Sequence, residues 1–189
     1  MADTTKIIEI RWHGRGGQGA VTSAELVARA AISEDKYAQA FPSFGPERRG
    51  APVLAFNRIS SGERIRVRAE VEEPDIVVVL DPGLLGIVDI TSGLKEGGII
   101  VVNTIKKAAE IKKALGINCS LATIDANKIA MEQLGVPIVN TTMTGALIKA
   151  TGVIKLESMA EPLKERFGRL AERNLKAMER AYQETLVGE

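Results

Sequence analysis

This 189-residue sequence predicts an α/β fold, with a mixed, largely parallel central sheet lying between helical layers. Three observations carry that prediction. A strand-like run beginning at Ile7 breaks into the glycine loop Gly14-Arg15-Gly16-Gly17-Gln18-Gly19 and then into an alanine-rich helical pattern. Ile76-Val77-Val78-Val79-Leu80 and Gly97-Gly98-Ile99-Ile100-Val101-Val102-Asn103 carry unbroken β-branched runs, as expected of strands buried on both faces. Helical patterns separate such runs, and strands joined through helices build a parallel sheet covered on both sides, a three-layer α/β/α Rossmann-like arrangement.

Taken in order, the first helix reads from Val21 to Ile32, where small residues such as Ala24, Ala28 and Ala30 allow close packing on a sheet. Tyr37 to Phe41 is a candidate second strand, and Pro42, Gly45, Pro46 and Gly50 punctuate the loop after it. Ala51 to Ile59 and Glu63 to Arg68 flank Ser60-Ser61-Gly62, which predicts an antiparallel hairpin; its second arm alternates Ile65 and Val67 with Arg64, Arg66 and Arg68. Asp81-Pro82-Gly83 ends the first β-branched strand. A helix is expected around Lys106 to Leu115, a strand from Cys119 to Ile124, and helices over Asn127 to Leu134 and Asn140 to Thr151. A long C-terminal helix follows from the apolar stripe Leu163, Phe167, Leu170 or Ala171, Leu175, Met178, Tyr182 and Leu186, with Gly168 as the point where it could divide. Glu165 with Arg169 and Glu172 with Lys176 stand at i,i+4 in the favourable order.

Composition narrows the classes of function. A length of 189 residues suits one domain spanning 1–189, and 45% hydrophobic with 26% charged residues is ordinary for a folded chain. The net charge is +1, so no global field draws the protein to nucleic acid or a membrane surface, although residues 1–70 hold eleven basic against eight acidic side chains. One cysteine, Cys119, excludes an internal disulfide, and no apolar run reaches membrane-spanning length, so the expected location is cytoplasmic.

The glycine loop carries the chemistry. Gly14, Gly16 and Gly19 fit G-x-G-x-x-G, and a strand, a glycine turn and a helix start in that order present backbone N–H groups to an anion. Ala20 and Val21 stand where a triphosphate loop needs Lys and Ser or Thr, which argues against triphosphate chemistry. Tyr37 to Phe41 runs into Pro42-Ser43-Phe44-Gly45 without the acidic residue that would hold a dinucleotide ribose. At Gly16 a left-handed turn or close approach to a phosphate would exclude a β-branched side chain. His13 lies beside the loop with no recognisable nucleophile or acid partner, so it reads as a hydrogen-bonded structural histidine. Trp12 reads as a core or interface anchor and Cys119 as a small core residue, while Asp81 and Asp89 lack the companions of a metal site.

The segment Gly14-Arg15-Gly16-Gly17-Gln18-Gly19-Ala20, followed by Gln39-Ala40-Phe41-Pro42 and Gly45-Pro46-Glu47-Arg48-Arg49-Gly50-Ala51-Pro52, resembles the gamma subunits of pyruvate:ferredoxin and related 2-oxoacid:ferredoxin oxidoreductases. Pro74-Asp75-Ile76-Val77-Val78-Val79 and Asn140-Thr141-Thr142-Met143-Thr144-Gly145-Ala146 extend the resemblance over roughly residues 7 to 167. It implies a complex that decarboxylates a 2-oxoacid on thiamine diphosphate and magnesium, passes electrons through [4Fe–4S] clusters to ferredoxin, and transfers the acyl group to coenzyme A. The implied partners are alpha, beta and ferredoxin-like delta subunits, with no nucleic acid and no membrane.

One cysteine cannot supply the four thiolates of a cubane cluster, and no Gly-Asp-Gly motif for thiamine diphosphate is present, so that chemistry is assigned to partner chains. What remains for this chain is assembly and binding of coenzyme A, with Gly14, Arg15, Gly16, Gly17, Gln18, Gly19, Arg48 and Arg49 as the candidate residues. An equally open reading has the glycines serving only tight strand–helix packing and the arginines serving subunit salt bridges. Pyruvate is the expected substrate; a branched-chain, aryl or dicarboxylic acid such as 2-oxoglutarate is the alternative within the family, and a stand-alone Rossmann-like nucleotide-binding module is the alternative outside it.

Overall fold

A computed structural model of the chain describes residues 7–43 and 50–188. Its frame is a seven-stranded sheet. In chain order the strands are β1 (Ile8–Arg15), β2 (Tyr37–Pro42), β3 (Pro52–Ser60), β4 (Ile76–Val79), β5 (Ile99–Asn103), β6 (Ser120–Ile124) and β7 (Leu186–Gly188), and in space they follow the order β2-β3-β1-β4-β5-β6-β7. The four central strands β1, β4, β5 and β6 are parallel, while β2, β3 and β7 add antiparallel pairings at the flanks. The mixed sheet with a parallel centre is thus as the β-branched runs require: Val77, Val78 and Val79 are wholly buried, as are Ile100, Val101 and Val102.

Helices α1 (Ala20–Ser33), α3 (Ala126–Leu134), α4 (Asn140–Thr151), α5 (Ala160–Phe167) and α6 (Ala171–Glu184) supply one layer. Helix α2 (Ala108–Leu115) and the 3₁₀ turn Pro82–Gly86 lie on the other. The alternation of β1 divides its residues between these layers. Ile10 and Trp12 face the core formed with α1, where Trp12 Nε1 donates to Asn57 Oδ1 at 2.8 Å and Asn57 Nδ2 donates to the carbonyl of Ala24 at 2.8 Å. Trp12 is therefore a core anchor whose polar atom is satisfied, and Asn57 ties β3 to α1 through it.

The opposite face of β1 bears Glu9, Arg11, His13 and Arg15, and the crossing loops are fastened to those side chains. Arg58 Nε donates to Glu9 Oε1 at 2.8 Å, and Lys95 bridges Glu9 and Asp75 at 3.0 and 3.1 Å. The buried Arg11 guanidinium donates to the carbonyls of Glu72, Ile90 and Ser92 at 3.4, 3.2 and 2.6 Å. It holds two separate loops against one strand.

The structure corrects two expectations. Residues 63–68 form no strand, because both edges of β3 are already occupied, by β1 on one side and β2 on the other. The arm instead runs past β2, where Gln39 Nε2 donates to the carbonyl of Ile65 at 3.0 Å. The C-terminal stripe is also narrower than its periodicity suggests. Gly168, at φ 51° and ψ −119°, divides the long C-terminal helix into α5 and α6, which leaves Leu170 exposed, and Leu186 belongs to β7 rather than to the helix. Glu165 pairs with Arg29 at 2.6 Å instead of Arg169, whereas Glu172 meets Lys176 at 2.7 Å as its spacing predicts.

Helix α6 buries Asn174, Ala177, Met178 and Ala181, a face of mostly modest side chains that lets it press on α4. A Cβ at Gly145 of α4 would lie 2.1 Å from the carbonyl oxygen of Met178, so this contact is backbone against backbone. Gly145→Ala is expected to lower stability by about 3 kcal/mol, since neither helix can yield a flexible side chain to relieve the overlap. Chemical denaturation checks this; a midpoint within error of the parent would remove the close approach as a packing constraint.

Candidate functional site

The glycine loop leaves the C-terminal end of β1 beside β4, where the strand order reverses because the chain runs from β1 to one side and from β4 to the other, the position at which open α/β sheets form a crevice. Strand β1 extends through Gly14 and Arg15, further than a break at the first glycine would suggest. Gly16 forms a bridge, donating to the carbonyl of Ala51 at 3.0 Å and accepting from Gly50 N at 3.3 Å. The left-handed positions are Gly17, at φ 95°, and Gly19, at φ 85°, so the backbone constraint expected at Gly16 falls one and three residues later. Gly19 caps α1 with no side-chain acceptor. The N–H groups of the first turn thus have no helical partner, and they border an open cavity of about 270 Å³ lined by Arg15, Gly16, Gly17, Gly19, Ala20, Val21, Thr22 and Val53.

Asp81, at the end of β4, organises the loop. Its Oδ2 accepts from Arg15 Nε at 3.0 Å and from Gln18 Nε2 at 2.8 Å, while Oδ1 accepts from Gly83 N at 2.8 Å. Gln18 closes the circuit by accepting from Arg15 N through Oε1 at 2.7 Å. Arg15 also donates to the carbonyl of Gly50 at 3.1 Å. Gln18 therefore turns back into the loop and does not line the cavity, and Arg15 is braced by a carboxylate beside it. Gly14 borders a different cavity. Arg48 and Arg49 lie outside the described residues.

Asn140 is a site residue that sequence reasoning missed. Located at the start of α4, it packs against Gly19 so closely that a Cβ there would lie 2.8 Å from Asn140 Nδ2, and its carbonyl accepts from Ser23 Oγ at 3.1 Å. The start of α4 thus fixes the start of α1. Its signal in the sequence was the polar run Asn140-Thr141-Thr142 heading a helix that turns out to be buried.

A larger cavity of about 470 Å³ opens on the other sheet face, between β1, β3 and residues 84–92, lined by Arg11, His13, Gly14, Leu54, Leu84 and Asp89 among others. Arg11 Nε donates to His13 Nε2 at 3.1 Å, so the imidazole is neutral with its proton on Nδ1. Burial first, and the Arg11 charge second, lower the His13 pKa from 6.5 to about 4, against a smaller opposing effect of Asp89. Among the described residues no acid or nucleophile hydrogen-bonds it, and its side-chain partner there is Arg11. Cys119 is half-buried, and burial raises its pKa, which favours the protonated thiol over the more nucleophilic thiolate. Among the described residues no group of three His, Cys, Asp or Glu side chains could hold a metal, and no helix is long and apolar enough to cross a membrane.

Comparison with known proteins places this geometry. Residues 9–184 match the family model described as pyruvate ferredoxin/flavodoxin oxidoreductase. A Thermococcus kodakarensis protein named pyruvate/ketoisovalerate oxidoreductases common subunit gamma is 56% identical, over 97% of this chain and 100% of its own length. Pyruvate synthase subunit PorC of Methanothermobacter marburgensis is 52% identical, over 94% of this chain and 97% of its own. The crystal structure of the Thermotoga maritima pyruvate oxidoreductase subunit PORC superposes with a TM-score of 0.86 at 40% identity, covering 97% of this chain and 99% of that one.

Two expectations follow from the site. Gly19→Ala is expected to destabilise by about 2 kcal/mol, from its left-handed backbone together with the contact with Asn140, whereas Gly17→Ala, with open space around it, costs about 1 kcal/mol; reversal of that order in urea unfolding would contradict the Asn140 packing. The second concerns pH. Because the folded His13 pKa lies below its unfolded value, its contribution is complete above pH 6.5 and declines as pH falls toward about 4, by about 3 kcal/mol in total. Unfolding midpoints recorded across that window should fall with acidification, and His13→Gln should flatten the slope.

Proposed function

The chain belongs to the pyruvate ferredoxin/flavodoxin oxidoreductase family as a gamma subunit, and we propose that within its complex it holds the phosphate end of coenzyme A at the start of α1. The observation that carries this reading is the first turn of α1, which has no side-chain cap and whose N–H groups, without a partner among the described residues, border the 270 Å³ cavity with Arg15 in the wall. An oxyanion there meets several donors and the positive end of the helix dipole. Asp81 and Gln18 keep the loop in that shape, and the Arg15 hydrogens not used by Asp81 and Gly50 remain to face a phosphate. Arg48 and Arg49 are proposed as additional phosphate donors from the neighbouring segment of the sequence.

The reaction assigned to the complex converts pyruvate or a related 2-oxoacid and coenzyme A into acyl-coenzyme A and carbon dioxide, its electrons passing to ferredoxin. Thiamine diphosphate with magnesium supplies the decarboxylation and [4Fe–4S] clusters the electron path. The donor set of this chain, with one cysteine and no metal cluster among the described residues, suits neither group, which supports assigning both to alpha, beta and delta partners. The T. kodakarensis relative is named as common to pyruvate and ketoisovalerate oxidoreductases, which supports a 2-oxoacid pocket lying outside the gamma subunit.

The isolated chain is expected to be colourless and unable to reduce ferredoxin with pyruvate and coenzyme A. In the reconstituted complex, Thr22→Glu sets a carboxylate in the cavity wall while leaving the helix start stable, because acidic residues suit a first turn. The KM for coenzyme A should rise tenfold or more, with the 2-oxoacid KM and subunit composition unchanged. An unchanged coenzyme KM for both Thr22→Glu and Arg15→Ala would overturn the phosphate site.

A further inference from the structure

The far end of the sheet carries a surface that the fold leaves open. Strand β7 is the last strand, paired only with β6, so its outer backbone groups are unpaired within the sheet. Beside it lies a cavity of about 440 Å³ whose walls include Ile105, Lys106, Lys107, Lys128, Leu186 and Val187. The apolar members are unusually bare: Ile105 is 84% exposed, Leu186 69% and Val187 49%. None of the three lysines makes an ion pair among the described residues, where they outnumber the two acids of the same cavity, Asp125 and Glu184, and each nearby acid already accepts another hydrogen bond. Asp125 accepts the N–H of Lys128 at 3.0 Å, Glu110 that of Lys107 at 3.3 Å, and Glu184 pairs with Arg180 at 2.6 Å. Glu132, the other acid whose field reaches Lys128, is held by Arg180.

We propose that this end of the sheet docks an extended segment of a partner subunit in which acidic and aliphatic residues alternate, its backbone lying along β7, its carboxylates on Lys106, Lys107 and Lys128, and its aliphatic side chains on Ile105, Leu186 and Val187. The proposal rests on the reading of the chain as one subunit of a larger enzyme. Three features select this occupant. An open edge strand hydrogen-bonds any extended chain, which gives affinity without choosing a sequence. The unpaired lysines choose an acidic one, since a second copy of this chain would set the same three cations against their equals. Bare aliphatic side chains between the cations favour a protein over a polyanion, which would leave them wet.

The test compares the isolated full chain with the assembled complex. Amine-reactive acylation should modify Lys106, Lys107 and Lys128 readily in the isolated chain and at least tenfold more slowly in the complex. Carbodiimide treatment of the complex should link these lysines to Asp or Glu of another subunit. The triple variant K106E/K107E/K128E should unfold at the parent midpoint, because all three side chains are exposed, yet bind its partners at least tenfold more weakly. Unchanged lysine reactivity in an intact complex, links only between copies of this chain, or a triple variant that assembles with parental affinity would each overturn the docking surface while leaving the subunit assignment standing. Recovery of the native chain without any partner subunit would overturn both.

Discussion

A guanidinium buried in the middle of the sheet face is the constraint on which the architecture turns. Arg11 sits on β1 with its charge withdrawn from water and directed at three backbone carbonyls and the imidazole of His13. Burial lowers its pKa, with the charge of Asp89 working against that effect. A charged group in such a place is tolerated only when its donors are satisfied, and the carbonyls of Glu72, Ile90 and Ser92 satisfy them. Those carbonyls belong to loops that would otherwise bury unpaired oxygens of their own. Arginine and loops therefore hold each other in position, and residues 84–92 form the wall of the larger cavity because Arg11 fastens them there.

The same strand links this device to the glycine loop. Two residues beyond Arg11, His13 accepts a hydrogen bond that fixes its tautomer, and two residues further Arg15 is braced by Asp81 at the end of the adjacent parallel strand. One polar face of one strand thus positions both cavities and closes the loop between them. From the opposite direction Asn140 presses on Gly19, so the start of α1 is set from both layers. The proposed phosphate site, whose donors are backbone N–H groups, needs this support, since those groups are aimed only as well as the backbone is held.

These arrangements were unequally visible in the sequence. The parallel centre was legible because Ile76 to Leu80 and Ile99 to Val102 are continuous apolar runs, and only a strand buried on both faces tolerates them. The glycine loop was legible from its spacing, and the subunit family from the loop together with the segments at 39–52, 74–79 and 140–146. The alternation Glu9, Arg11, His13, Arg15 between Ile8, Ile10 and Trp12 has the period of a half-solvated strand, yet β1 is central. Its polar face is covered by crossing loops and neutralised by contacts up to 86 residues away, which no local pattern encodes. The arm at 63–68 failed for a related reason. Its alternation is genuine, but strand pairing depends on a free edge, and β3 has none left to offer.

The C-terminal region shows how a weak local signal becomes a strong tertiary one. Periodicity over 163–186 describes a stripe of large apolar residues, and Leu163, Phe167, Leu175, Met178 and Tyr182 do pack on the core, but the closest approach of α6 to α4 rests on Gly145 and on Asn174, Ala177, Met178 and Ala181. Close helices need an absence of side chain where their backbones meet, and an absence carries little weight in a hydrophobic pattern. Asn174 adds the polar half of that contact: its Oδ1 accepts from Thr141 Oγ1 at 2.9 Å, and its amide donates to the carbonyl of Leu170 at 2.9 Å. Because Thr141 follows Asn140, the residue that presses on Gly19, the seating of α6 on α4 reaches the glycine loop through two adjacent residues. Helix α6 also delivers β7 to the sheet edge, so the same packing that steadies the glycine loop at one end of the order of elements holds the open strand in place at the other.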